Sequence, residues 1–133
     1  MQVITFMKKA LIYNSVIHKK MFHMLTCFDL KPGHSIQEFQ QSLAKYTKHM
    51  NELGLVEGNS SIGLRQSDSI LDTDEERKQE HFVTMYFRDR EQSDKAIEHI
   101  KSQKEPAKSL HNNAYSITEN LIFISWKDID KQL

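Results

Sequence analysis

An α+β fold, running strand, helix, strand, strand, helix, strand between Phe22 and Asp128, is what this chain predicts. Three observations carry that prediction. Residues 22–30 alternate with a period of two, and a Lys31-Pro32-Gly33 turn leads straight from them into an amphipathic helix with its own cap. Two later runs, 81–87 and 121–126, are rich in β-branched and aromatic residues. Two strand-helix-strand units in tandem close into a four-stranded antiparallel sheet with both helices on one face.

Each element has a local cause. In the first strand Phe22, Met24, Phe28 and Leu30 fall on one side and His23, Leu25, Cys27 and Asp29 on the other, as alternation in a strand requires. Pro32 presets φ and Gly33 permits the change of direction. Ser35 and Glu38 have the spacing of a capping box, and Ile36, Phe39, Leu43, Tyr46, Met50 and Leu53 make one apolar stripe that Gly54 ends. Residues 57–59 form a turn, and residues 60–66 a modest strand weakened by Gly63. Residues 67–79 are a polar excursion, in which Thr73 and Glu76 predict the cap of a short surface helix. Residues 81–87 make the second strong strand. Asp89 and Gln92 repeat the capping pattern, with Ala96, Ile97 and Ile100 facing inward, and Pro106 opens a short helix with Leu110 and Ala114 inward. The last strand is apolar on both faces, Leu121 and Phe123 on one and Ile122, Ile124 and Trp126 on the other, which predicts cover on both sides.

Composition narrows the function classes. The 133 residues suit one domain over residues 21–133, preceded by a basic extension over residues 1–20 that stands apart from the core. That extension holds Lys8, Lys9, Lys19 and Lys20 without an acid, so 14 basic and 18 acidic side chains remain in the domain. A mildly acidic domain lacks the clustered Lys and Arg that binding to nucleic acid needs. Residues 79–86 also lack the basic-Gly start and aromatic spacing of an RNA-stacking strand. No apolar run reaches membrane-spanning length, and the single Cys27 fits a buried, reduced thiol in the cytoplasm. Asp72, Asp74, Glu75 and Glu76 lack the glycine and the final acid of a calcium loop. Neither a zinc-type cysteine pair nor a phosphate-cradling glycine loop occurs, so no metal and no cofactor is expected.

With Phe28-Asp29-Leu30-Lys31-Pro32-Gly33, the Glu38-Phe39 pair and His111-Asn112-Asn113 ahead of the last strand, the chain resembles the dimeric α/β-barrel superfamily over about residues 21–128. The resemblance is closest to its small members without assigned chemistry. It implies a ferredoxin-like βαββαβ domain that pairs with a second copy through the open face of its sheet. It also implies membership of a group that includes cofactor-independent monooxygenases, haem-degrading enzymes and lactone isomerases. None of their catalytic signatures is intact, and Trp126 has no matched Asn-and-His arrangement, so no catalytic residue is carried over.

The face opposite the bulky core set supplies the candidate binding residues: His23 and Cys27 from the first strand, with Thr84 and Tyr86 from the third. An apolar wall with a few polar groups is the usual make-up of a small-ligand site. His81 belongs to the other face with Val83, Met85 and Phe87, which argues against a His23–His81 metal pair. Of the remaining histidines, His34 and His111 are read as loop residues at the surface. The expected function is binding of a small apolar or aromatic molecule in a sheet-lined cavity of a cytoplasmic homodimer. A cofactor-independent monooxygenase or isomerase, and a non-catalytic structural or interaction dimer, are the alternatives.

Overall fold

The computed structural model describes residues 20–129. The basic extension expected over residues 1–20 therefore lies, apart from Lys20, outside the described residues.

Strand β1 (Phe22–Leu30) runs down the middle of the sheet. On one side it pairs with β4 (His81–Phe87), and on the other with β5 (Thr118–Lys127), antiparallel in both cases. Beyond β4 lie two short pieces, β2 (Gly58–Asn59) and β3 (Gly63–Leu64), both paired with it. The sheet is antiparallel throughout, as expected, with five strands rather than four because its outer strand is interrupted. The interruption has a local cause. The Ser60 hydroxyl accepts from Thr84 N at 2.8 Å and so takes a backbone carbonyl's place in the ladder.

Helix α1 (Ile36–Glu52) starts as its sequence dictates. Glu38 N donates to Ser35 Oγ at 3.2 Å, and Ser35 N donates to Glu38 Oε1 at 3.4 Å. It stops in a Schellman motif: Gly54, at φ +73°, donates to Asn51 O, and Leu55 N donates to Met50 O. Helix α2 (Arg90–Lys101) is capped by Asp89, whose carboxylate accepts from Gln92 N at 2.8 Å. A third helix, α3 (Ala107–Tyr115), begins after Pro106 and brings Ala107 and Ala114 into the core. The surface helix expected at Thr73 does not form. Asp74 Oδ1 instead accepts from Glu76 N and Arg77 N, a local turn that competes with helix.

Register separates the two faces of the sheet. Met24 lies opposite Met85, Thr26 opposite Val83 and Phe22 opposite Phe87, and this face packs on the helices. Phe28 and Phe39 meet at a ring-centroid distance of 4.5 Å at the centre of that core, with Leu43, Met50, Val56 and Ala96 around them. The other face carries His23, Leu25, Cys27, Phe82, Thr84, Tyr86, Ile122, Ile124 and Trp126. Within β5, Asn120 adopts φ 56° and makes a bulge, so that two steps along β1 match three along β5. Asn120 donates its side-chain amide to Asp29, whose other oxygen accepts from Glu80 N, which pins the bulge to both neighbouring segments.

Candidate functional site

An apolar groove of about 550 Å³ opens between the sheet and the helices. Met24, Met85, Phe123 and Ser125 form its floor, Ala96, Ile97 and Ile100 of α2 one wall, and Tyr46, His111 and Tyr115 the polar end of the other. It exists because β5 is an edge strand that none of the described helices crosses. Ile97, Leu121 and Phe123, which line it, consequently stay exposed. The cover expected on both faces of the last strand is therefore not supplied by the described residues.

The polar end arises from helix spacing. Tyr46 projects from the apolar stripe of α1, while His111 and Tyr115 stand four residues apart on one side of α3. The His111 ring lies 4.7 Å from that of Tyr115 and 5.4 Å from that of Tyr46. His111, read from the sequence as a surface loop residue, is thus half-buried on a helix against two phenols. The i, i+4 pairing with Tyr115 was the signal available for it. Burial lowers the His111 pKa below the ordinary histidine value, despite a hydrogen bond to Asn112 that opposes the shift. Burial also raises the Tyr115 phenol to about 12 and pushes Tyr46 higher still. At neutral pH the cluster is therefore one neutral imidazole and two neutral phenols. Tyr46 is only 6% exposed, and among the described residues its hydroxyl has no hydrogen-bond partner.

The four residues picked from the sequence share the opposite face, as their alternation required. His23 and Tyr86 come together, their rings 5.6 Å apart and edge-on, and Trp126 stacks on His23 at 5.0 Å. Asp128 holds the imidazole from outside, Oδ1 lying 2.8 Å from His23 Nε2. Thr84 lies across from Leu25, one step along the sheet. Cys27 is 2% exposed, and burial raises its thiol pKa, which disfavours the nucleophilic thiolate. This side of the sheet is an aromatic and aliphatic surface with its histidine already engaged.

A second cavity of about 600 Å³ lies in the loop between β3 and β4 and is lined by charged residues. Its chief cation is committed. Arg65 donates to both Asp72 oxygens at 2.7 and 2.8 Å, to Asp74 O at 2.7 Å, and to Arg77 O. Among the described residues no three His, Cys, Asp or Glu side chains gather as metal ligands, and no helix is long and apolar enough to cross a membrane.

No protein-family model matches the chain, and no curated protein does. Solved structures do. Protein At3g17210 of Arabidopsis thaliana superposes with a TM-score of 0.61 at 15% identity, covering 85% of this chain and 99% of the other. A dimeric ferredoxin-like protein of unknown function from Jannaschia sp. CCS1 gives 0.53 at 10% identity, covering 80% and 97%. A hydroxynitrile lyase from Passiflora edulis gives 0.50 at 12% identity, covering 87% and 99%. At such identities the likeness is one of backbone architecture. The chain has the ferredoxin-like fold.

Proposed function

We propose that the protein binds a small apolar or aromatic molecule in the groove between sheet and helices, as a homodimer whose second copy covers the open sheet face. The observation that carries the reading is the polar end of the groove. A nearly buried phenol without a partner, beside a half-buried neutral imidazole, leaves hydrogen-bonding capacity that a ligand oxygen can use. Apart from Lys101 and Ser125 the rest of the lining is apolar, and the volume of the groove suits a ligand of one to three rings. His23, Cys27, Thr84 and Tyr86 belong in this reading to the dimer interface rather than to the ligand.

Chemistry on the bound molecule is the second reading, in the cofactor-independent oxygenase or isomerase class. His111 as base and the two phenols as donors favour it, since proton transfer needs such a pair within reach of one substrate. The hydroxynitrile lyase of the same fold is a catalytic use of the architecture.

Isothermal titration of the full chain with naphthalene, 2-naphthol and 1,4-naphthoquinone tests binding. At least one should bind, and Ile97→Arg, which places a charge on the groove lip, should abolish it. Tyr46→Phe should weaken 2-naphthol roughly 3- to 10-fold and leave naphthalene unchanged. If none of the three binds, the groove is not a ligand site. If a compound binds unchanged but the Ile97 variant binds it equally well, the ligand lies elsewhere.

A further inference from the structure

We propose that the ligand of the groove is an amphiphilic anion, an apolar body with a carboxylate head, and that Lys101 receives the head. The inference rests on the groove reading above and adds the charge of the ligand to it.

Lys101 is the one fully charged residue of the lining, which it joins beside Ile97 and Ile100 of α2. None of the acids among the described residues lines the groove, although the domain holds more acids than bases. The field at the groove is therefore set by a cation among neutral groups.

Helix spacing explains why that cation is unspent. Arg90 and Lys95 of the same helix each meet an acid one turn away, Asp94 at 3.8 Å and Glu91 at 3.1 Å. One turn before Lys101 stands Ile97, a wall of the groove, so the same spacing turns Lys101 toward apolar neighbours. Among the described residues Lys101 forms no ion pair. Nor does the end of the helix engage it. A basic side chain in the last turn can serve the open carbonyls there. In α2 they already have donors: Ser102 N reaches Glu98 O at 3.0 Å and His99 O at 3.2 Å, and Gln103 N reaches Ile100 O at 3.1 Å.

Burial fixes where on the ligand the charge belongs. Lys101 is exposed, so a head placed beside it keeps part of its hydration while the body is buried against Met24, Met85 and Phe123. A charge carried inward to Tyr46 would lose its water with only neutral groups around it. A single ammonium matches a single negative charge, which selects a carboxylate over a phosphate monoester.

Isothermal titration of the full chain at pH 7.5 with 2-naphthoate, 2-naphthamide and 2-naphthylmethylammonium tests the charge, because the three share a ring system and differ at the head. The carboxylate should bind about 5-fold more tightly than the amide, the scale of a well-placed ion pair at an exposed site. The ammonium should bind more weakly than the amide, and about 0.5 M sodium chloride should remove most of the carboxylate's advantage. Lys101→Met should bring 2-naphthoate down to the level of the amide and leave the amide unchanged, with an unaltered melting temperature because the position is exposed. If 2-naphthoate binds no more tightly than the amide, the proposal fails and the groove reading stands. A preference that survives in the Lys101 variant means that the head is held elsewhere, and the proposal fails again. If none of the three compounds binds, the groove reading falls and takes the proposal with it.

Discussion

At the scale of single residues the decisive group is His111. Its lowered pKa has a definite consequence for stability. In the unfolded chain the imidazole titrates near the ordinary value of about 6.5, and in the folded chain it holds its proton less tightly because burial penalises the cation. Above that ordinary value both states are neutral and nothing is lost. As pH falls below it, the unfolded state takes up the proton first, so stability declines until the folded-state pKa has also been passed. Urea unfolding at pH 7.5 and pH 5 should show this loss for the wild type, and His111→Phe should reduce it. An identical pH dependence in the variant would place the sensitivity elsewhere. Tyr46→Phe acts in the other direction. It removes a hydroxyl that has no hydrogen-bond partner among the described residues, so the ligand-free protein should keep its melting temperature or gain slightly. A clear loss would mean that the hydroxyl has a structural role.

At the scale of elements, the caps and one buried amide hold the helices in place. Ser35→Ala opens the capping box of α1 and should cost about 1 kcal/mol by denaturant titration. Gln92 is only 2% exposed, and it ties α2 to its surroundings. Its Oε1 accepts from Arg88 N at 2.7 Å, and its Nε2 donates to Gly54 O at 3.0 Å and to Glu57 Oε1 at 3.2 Å. Gln92→Leu keeps most of the volume but leaves these groups without their partner, which should cost about 2 kcal/mol or more. A neutral result would mean that water replaces the amide. The capping spacing of Ser35 with Glu38 and of Asp89 with Gln92 was readable from the sequence, because a cap involves residues three apart. The reach of Gln92 to Gly54 was not, since it spans separate elements.

At the scale of the whole molecule, the sheet has a face on which none of the described helices packs, and an edge strand with large exposed side chains. Phe123, Ile124 and Trp126 stay 53%, 40% and 42% exposed in a single chain. Ile124 and Trp126 lie with Leu25 and His23 on the helix-free face, so Ile124→Arg should prevent pairing of two sheets there. Sedimentation equilibrium at micromolar concentration is expected to give twice the chain mass for the wild type and the chain mass for the variant, with the circular dichroism spectrum unchanged. A wild-type monomer would remove the dimer reading. A dimeric Ile124 variant would move the interface to another surface.

The division between sequence and tertiary structure follows the range of the interactions. Alternation in residues 22–30 and 81–87, the stripe of α1 and the Gly54 stop are local patterns, so they determined the element order, the helix boundaries and which side chains share a face. They also put His23, Thr84 and Tyr86 on one face of the sheet. The interrupted outer strand escaped because a serine hydroxyl substitutes in the ladder only when Thr84 is beside it. The loop over residues 66–79 escaped because its order comes from Arg65, which gathers Asp72, Asp74 and Arg77 without any periodicity. Above all, period-two alternation distinguishes two faces but says nothing about the space above either. The groove lies on the helix side because three helices leave β5 uncovered, and His111 belongs to it because α3 packs beside α1. Such a cavity depends on the gaps between elements, and only the packed molecule has those.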